Sequence, residues 1–317
     1  MPSLLILLTM PPEVSAHYVA RLGEAFPGLT VNLVDHHSKV GPYIRDADIL
    51  MTFGPMLTDK VIEEAVNLKW IQALGTGVDN LADLPSLGKH VIITNITGIH
   101  GAAMSEAAIM AMLALQRNFP RVIRNQDRHL WERWPARLLD GKKLGIFGIG
   151  LIAEALAPRC KAMGMAVSGI TSVKRQVAGF DCVYGRDELI PAVRDLDFLV
   201  VLTPLSPATR KIVSAAVFAA MKPTGYLINL ARGAVVDDQA LIHALEHGQI
   251  AGAALDVFSQ EPLPEDHPYW SMKNVIVMPH LGGFFDEYAD RALPVVEENL
   301  RRFLAGDAMN MINVVRR

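Results

Sequence analysis

The chain is poor in cysteine: Cys160 and Cys182 are the only two among 317 residues. Two thiols cannot build a disulfide framework, and neither lies in a C-x-x-C pair, so two reduced thiols are expected. Long hydrophobic runs are missing too. The apolar N-terminus is too short to span a bilayer and carries neither a positive leader nor a convincing cleavage site. It reads as a buried first strand, and a soluble cytoplasmic protein is the expectation. No block of Lys or Arg appears and the formal net charge is −3, which leaves a nucleic acid without a docking face. Short-period repeats and low-complexity tracts are absent. What remains is 51% hydrophobic and 20% charged, a composition for packed cores rather than disorder. The length suits two domains.

Short apolar runs alternate with helical patterns. In the first third, residues 4–8, 30–34, 49–52, 70–73 and 91–94 read as strands, with helix-like stretches at 15–25 and 59–65. A long Ala- and Met-rich helix is expected over 101–118, more plausibly packing than a cofactor feature, followed by a polar stretch over 121–137 that carries Trp131 and Trp134. A second series then places strands near 144–147, 166–170, 198–202, 226–229, 252–255 and 275–278, and a last amphipathic helix over 286–304. Strand–helix alternation implies α/β architecture with doubly wound parallel sheets.

The second series opens on Lys143-Leu-Gly-Ile-Phe-Gly148-Ile149-Gly150-Leu151-Ile152-Ala153. An apolar strand runs into G-x-G-x-x-A and then into a helix-like stretch. Gly148 permits the tight turn, Gly150 lets the backbone approach a pyrophosphate, and Ala153 lets helix and strand pack closely. The helix N-terminus offers free N–H groups and a positive dipole to phosphate. Any sharp strand-to-helix turn can show such glycines; the flanking strand and helix favour a dinucleotide loop.

The next strand decides which dinucleotide. A site for NAD usually holds the ribose 2′-hydroxyl with an acid about 20 residues beyond the glycines. Here the strand ends in Thr171, Ser172, Lys174 and Arg175, and no acid comes before Asp181. Two hydroxyls and two cations suit a 2′-phosphate, so NADP(H) is the expected cofactor, with NAD(H) as the second choice. The bland alternative is a solvated basic turn.

Three more strand ends carry polar groups: Asn229-Leu230-Ala231-Arg232-Gly233, Asp256 through Glu261-Pro262, and Pro279-His280-Leu-Gly282-Gly283. Ligands in open parallel sheets bind beyond the carboxyl ends of strands, which would gather Arg232, Asp256, Glu261 and His280. Taken singly, Asp256 would cap a strand end and Gly75 and Gly77 would be turn residues. His36 and His37 lack the spacing of a metal site, and none is expected.

With Gly75-Thr76-Gly77-Val-Asp79-Asn80, Asn95 to Gly98 leading to Ser105-Glu106, and Thr203-Pro204-Leu205-Ser206, these motifs resemble the D-isomer-specific 2-hydroxyacid dehydrogenase family, in its order and approximate spacing and over nearly the whole chain. The resemblance implies a Rossmann-type nucleotide domain, 100–285, inserted into a discontinuous flavodoxin-like substrate domain, 1–99 with 286–317, and a substrate in a closing cleft. It implies reduction of a small 2-oxo acid to the D-2-hydroxy acid, or the reverse, with glyoxylate and hydroxypyruvate as default substrates. His280 would be the acid/base, Glu261 its partner, and Arg232 the holder of the substrate carboxylate. Substrate contacts would come from Phe53, Thr76, Gly77, Arg232 and His280. A wider wall is expected from 51–54, Phe284, Phe285 and the 131–134 segment. The implied cofactor shell is Gly148 to Ile152, Thr171, Ser172, Lys174, Arg175, Thr203, Pro204, Leu230 to Arg232, Asp256 (on the carboxamide), His280, Gly282 and Gly283. A homodimer through the 101–118 helix is also implied, and no regulatory domain is expected after the last helix.

Two departures bear on the cofactor: Leu151 stands where the family often has Arg, and the acid of the second strand is missing. Glu261 argues against the formate dehydrogenases, which pair the histidine with Gln. A phosphite-type dehydrogenase and a nucleotide-sensing corepressor or scaffold remain as alternatives.

Overall fold

The apolar runs form two parallel sheets in a computed structural model that describes residues 1–315 apart from Asn80, with their side chains apart from that of Pro55. Asn80, the end of the 75–80 motif, and residues 316–317 lie outside the described residues. The chain divides into two compact units, Met1–Ile99 with Asp286–Arg317, and His100–Phe285.

The first unit contains β1 (Ser3–Leu7), β2 (Thr30–Val34), β3 (Ile49–Thr52), β4 (Trp70–Ala73) and β5 (Ile92–Thr94). They pair in parallel in the order β2-β1-β3-β4-β5, and a short strand, Val314–Val315, adds antiparallel to β5. β3 and β4 are buried at every position, as strands covered by helices on both faces must be. The chain returns here for polar as well as apolar reasons. Asn299, fully buried on the last helix (Tyr288–Leu304), donates to Gln72 Oε1 at 3.1 Å and accepts from the Ile312 N–H at 2.6 Å. Gln72 Oε1 also accepts from Thr94 Oγ1 at 2.9 Å, which accepts from Trp70 Nε1 at 2.8 Å. This buried network is satisfied only while the last helix is docked on β4 and β5.

The second unit contains β6 (Lys143–Phe147), β7 (Ala166–Thr171), β8 (Cys182–Gly185), β9 (Phe198–Val201), β10 (Tyr226–Asn229), β11 (Gly252–Leu255) and β12 (Val275–Val277). Their order is β8-β7-β6-β9-β10-β11-β12, all parallel. The order reverses between β6 and β9, which opens a crevice at their carboxyl ends. The helix Gly101–Gln116 packs on the helix Leu151–Ala162, closely enough that a Cβ on Gly101 would lie 3.1 Å from that of Ala155. Among the described residues no helix is long and apolar enough to cross a membrane.

Besides the short strand Val314–Val315, for which no expectation was formed, two stretches differ from the reading of the sequence. β8 was not foreseen because Cys182–Gly185 is a short, partly exposed edge with no apolar run. The polar stretch after residue 118 begins as a helix, Phe119–Asp127. Pro120 occupies the helix's first turn, where its missing N–H costs nothing.

Candidate active site

One hydrogen bond past each strand end lines up the chemistry of the second unit. Leu202 N–H donates to Phe147 O at 2.7 Å, Leu230 N–H to Val201 O at 3.2 Å, Asp256 N–H to Asn229 O at 3.0 Å, and His280 N–H to Asp256 O at 2.9 Å. The sheet ladder thus runs on beyond β6, β9, β10 and β11. It seats the Gly148 loop, Thr203, Arg232, Asp256 and His280 in one row at the carboxyl edge.

His280 Nδ1 lies 2.8 Å from Glu261 Oε2, and the Phe258 N–H donates to the other carboxylate oxygen at 2.9 Å. The carboxylate faces Nδ1, so Nδ1 carries its proton toward Glu261 and Nε2 is left to exchange one. The hydrogen bond to Glu261 holds the His280 pKa above the usual imidazole range, against burial and the nearby Arg232 charge, which both lower it. Burial works to raise Glu261, yet the bonds from His280 and the Phe258 N–H, with the charge of Arg232, keep it below the usual range. His280 has φ 55°, a left-handed backbone that few non-glycine residues adopt. Its N–H bonds, to Asp256 O and to Met278 O at 3.1 Å, hold it there.

Asp256 is buried, and its carboxylate clamps the histidine loop. Oδ1 accepts from the Leu281 N–H at 2.7 Å and Oδ2 from the Gly282 N–H at 2.9 Å. Burial pushes its pKa up, and the two N–H bonds oppose that. The capping duty is one reading of Asp256 in the sequence, but nothing in the sequence says which loop a strand-end acid will hold. Asn229 plays the same part beside Arg232: its Oδ1 accepts from Ala231 N–H at 3.1 Å and its Nδ2 donates to Arg232 O at 3.1 Å. Gly233 is obligatory for contact, because a Cβ there would sit 1.9 Å from the Phe258 carbonyl carbon. The arginine loop is therefore pressed onto the loop that ends in Glu261.

The glycine loop fits a dinucleotide. Gly148 has φ 106° and would place a Cβ 2.5 Å from Thr203 N, so only glycine allows the turn. Gly150 caps the helix Leu151–Ala162 without a side-chain hydrogen bond, and a Cβ on it would meet no protein atom within 4 Å. It therefore faces the open space in front of the helix N-terminus, where unpaired N–H groups and the dipole favour phosphate. Ala153 is fully buried. Ile149 packs over Gly169, Ile152 turns toward the core, and Leu151 is exposed. Thr203, Leu230 and Ala231 are buried, which leaves them backbone roles.

The description "D-isomer specific 2-hydroxyacid dehydrogenase, NAD binding domain" matches residues 109–282. The chain belongs to the D-isomer specific 2-hydroxyacid dehydrogenase family. It is 32% identical over 284 residues to the glyoxylate reductase of Thermococcus litoralis, with 85% of each chain covered. It is 35% identical over 276 residues to the D-3-phosphoglycerate dehydrogenase of Methanocaldococcus jannaschii, covering 86% of this chain and 52% of that protein. It thus spans about half the length of the curated phosphoglycerate dehydrogenases it matches. The solved NADPH-dependent glyoxylate/hydroxypyruvate reductase of Sinorhizobium meliloti, in complex with NADP and sulfate, superposes with TM-score 0.86 at 28% identity, covering 99% of this chain and 98% of that one.

In this member of the dehydrogenase family the cations after β7 have partners. Lys174 Nζ lies 2.9 Å from Glu188, and Arg175 is 3.5 Å from Glu154. These partners, distant in sequence, were not foreseen. Both pairs are solvent-exposed and so weak enough to be exchanged for a phosphate. Asp181 is no substitute for the missing acid. It accepts from Val167 N–H at 2.8 Å and pairs with Lys161, at the opposite end of β7 from Thr171.

In the first unit, the Gly75 loop is stitched to the segment after β5: Ile96 N–H donates to Gly75 O at 3.2 Å and Asn95 Nδ2 to Thr76 O at 2.7 Å. Phe53 lies 6.0 Å from the Tyr288 ring, and the Tyr288 hydroxyl bonds to Leu74 O. Two stretches of the expected wall are corrected. Met51 and Thr52 are fully buried, because β3 is covered on both faces, so Phe53 is the half-exposed side chain of that stretch. Trp134 sits near the amino ends of β10 and β12, with Tyr226 and Asn274, and so away from the carboxyl edge of its own unit.

Proposed function

We propose that this chain is an NADP(H)-preferring reductase of small 2-oxo acids, glyoxylate or hydroxypyruvate, forming the D-2-hydroxy acid. The carrying observation is the 2.8 Å contact of His280 with Glu261 in the electrostatic field of Arg232, on the edge that also holds the glycine loop.

NADPH, when bound, supplies the hydride. The Gly148–Ile152 loop and helix N-terminus would hold its pyrophosphate, Lys174 and Arg175 its 2′-phosphate, and Asp256 with the 280–283 backbone its nicotinamide end. Arg232 would grip the substrate carboxylate and stabilise the carbonyl oxygen as charge gathers there. His280 Nε2 would deliver the proton to that oxygen, and Glu261 would keep the ring protonated and oriented until it does. Thr76 and Gly77 would bind the carboxylate from the first unit, and Phe53 would limit substrate size.

NADP preference is supported by the Thr171–Arg175 chemistry and by the NADPH dependence of the Sinorhizobium meliloti reductase. A homodimer is supported by the apolar surface of Met110, Leu113, Phe119, Val122, Ile123 and Leu130, each more than a third exposed. Light scattering of the purified chain tests it. The activity test is NADPH and NADH oxidation with glyoxylate, hydroxypyruvate, pyruvate and phenylpyruvate, and NAD(P)+ reduction with 3-phosphoglycerate. Turnover of glyoxylate or hydroxypyruvate with NADPH is expected. Turnover confined to 3-phosphoglycerate would overturn the substrate assignment, and no turnover at all would favour the sensor reading.

A further inference from the structure

The loop that leaves β4 is tied down by its carbonyls. Leu74 N–H still continues the sheet, donating to Thr52 O at 2.9 Å. The carbonyls of residues 74–76 then each take a bond from elsewhere in the first unit. Leu74 O accepts from the Tyr288 hydroxyl, Gly75 O from Ile96 N–H at 3.2 Å, and Thr76 O from Asn95 Nδ2 at 2.7 Å. Asn95 is held in turn by Asn313, whose Nδ2 donates to Asn95 O at 3.3 Å and whose carbonyl accepts from Asn95 N–H at 3.2 Å.

These peptides are trans, and in a trans peptide a carbonyl and the next N–H point in opposite directions. Bonding the carbonyls of 74–76 back into the unit therefore turns the N–H groups of Gly75, Thr76 and Gly77 away from those partners. Successive N–H groups fixed in this way form a preorganised grip for an anion.

The first of these peptide planes depends on a side chain distant in sequence. Tyr288 opens the last helix and is buried, and burial pushes its pKa up, so the hydroxyl keeps the hydrogen it donates. Its ring lies 6.0 Å from that of Phe53. Leu74 is fully buried, so removing the phenol oxygen would leave a buried carbonyl short of a partner.

We infer that Tyr288 is a positioning residue for the substrate carboxylate. Acting through Leu74 O, its hydroxyl sets the peptide plane from which the 75–77 grip starts. The inference rests on the proposed assignment of Thr76 and Gly77 to the carboxylate and extends it to the last helix.

The test compares wild type, Y288F and N95S, each saturated with NADP, in calorimetric titration with oxalate, alongside thermal melts and steady-state reduction of glyoxylate by NADPH. Y288F keeps the ring beside Phe53 and loses only the hydroxyl. Its oxalate affinity should fall about tenfold, the effect of one lost buried hydrogen bond, and its KM for glyoxylate should rise by a similar factor. Its kcat and its KM for NADPH should stay within about twofold of wild type, the signature of binding lost equally from ground and transition state. N95S releases the Thr76 carbonyl instead and should weaken oxalate in the same direction. A tyrosine that only supports the fold would change melting or kcat and leave oxalate affinity and KM alone. That result for Y288F, or unchanged oxalate binding in N95S, would overturn the inference while a wild type that binds oxalate and reduces glyoxylate leaves the proposed function standing. A wild type that does neither would overturn both.

Discussion

The Gly282 N–H donates to Asp256 Oδ2 at 2.9 Å, and a Cβ on Gly282 would lie 2.7 Å from that same oxygen. Hydrogen bond and absent side chain are two halves of one requirement: the loop after His280 must lie flat on a buried carboxylate. G282A should push the loop off Asp256 and lower kcat by at least about tenfold, for a cost of one strained hydrogen bond. D256N should do so by another route, because its oxygen can still accept from one backbone N–H but its NH2 faces the other and leaves it unpaired, at about 1–3 kcal/mol. Thermal melts and kcat measured together check this. A D256N chain with unchanged melting and unchanged turnover would remove the clamp from the account.

Glu261 raises the pKa of His280, which fixes the sign of the pH dependence. Reduction at His280 uses the imidazolium, so its rate should be highest below the elevated His280 pKa and fall as pH rises through it. Oxidation of the hydroxy acid needs the neutral ring and should rise over the same range. E261Q removes the carboxylate that raises the pKa, so the alkaline limb of the reductive profile should move to lower pH. Profiles of kcat/KM for the two chains decide it, and a limb that does not move would mean another group titrates.

Replacing His280 itself should cost about 10²- to 10⁴-fold in turnover, the usual worth of a positioned acid/base. Cofactor binding should be almost unaffected, because the Gly148 loop ends β6 and the strands β9, β10 and β11 lie between it and the strand that leads to His280. Fluorescence titration with NADPH and steady-state turnover of H280A separate the two effects. A near-native rate would dismiss His280 from the role.

Much of this site was legible in the sequence because its motifs are strand endings. β2, β3, β4, β10 and β11 begin and end where their apolar runs do, so Asn229, Arg232 and Asp256 could be placed at an edge before any coordinates. What was not legible is contact between residues far apart in the chain. That Gly233 abuts Phe258, that Asp256 holds Leu281 and Gly282, and that Glu154 and Glu188 sit beside Arg175 and Lys174 follow from tertiary approach, which no local pattern encodes. Met51 misled for a related reason. Apolar residues at a strand end look like a pocket wall, but on a strand covered on both faces the same residue belongs to the core.

The basic turn after β7 gives the last prediction. Lys174 and Arg175 are engaged with Glu188 and Glu154, so binding a 2′-phosphate means exchanging one anion for another. Surface ion pairs of this kind are worth about 0–1 kcal/mol, whereas a hydrogen bond to a charged group contributes about 1.5–3 kcal/mol. The exchange should therefore favour phosphate. K174A/R175A should raise the KM for NADPH by about tenfold or more and leave that for NADH within about twofold. The acids give the converse: E154Q, which frees Arg175, should tighten NADPH and not NADH. If all three substitutions shift the two cofactors equally, the turn is a solvated surface and the cofactor preference must be sought elsewhere in the loop.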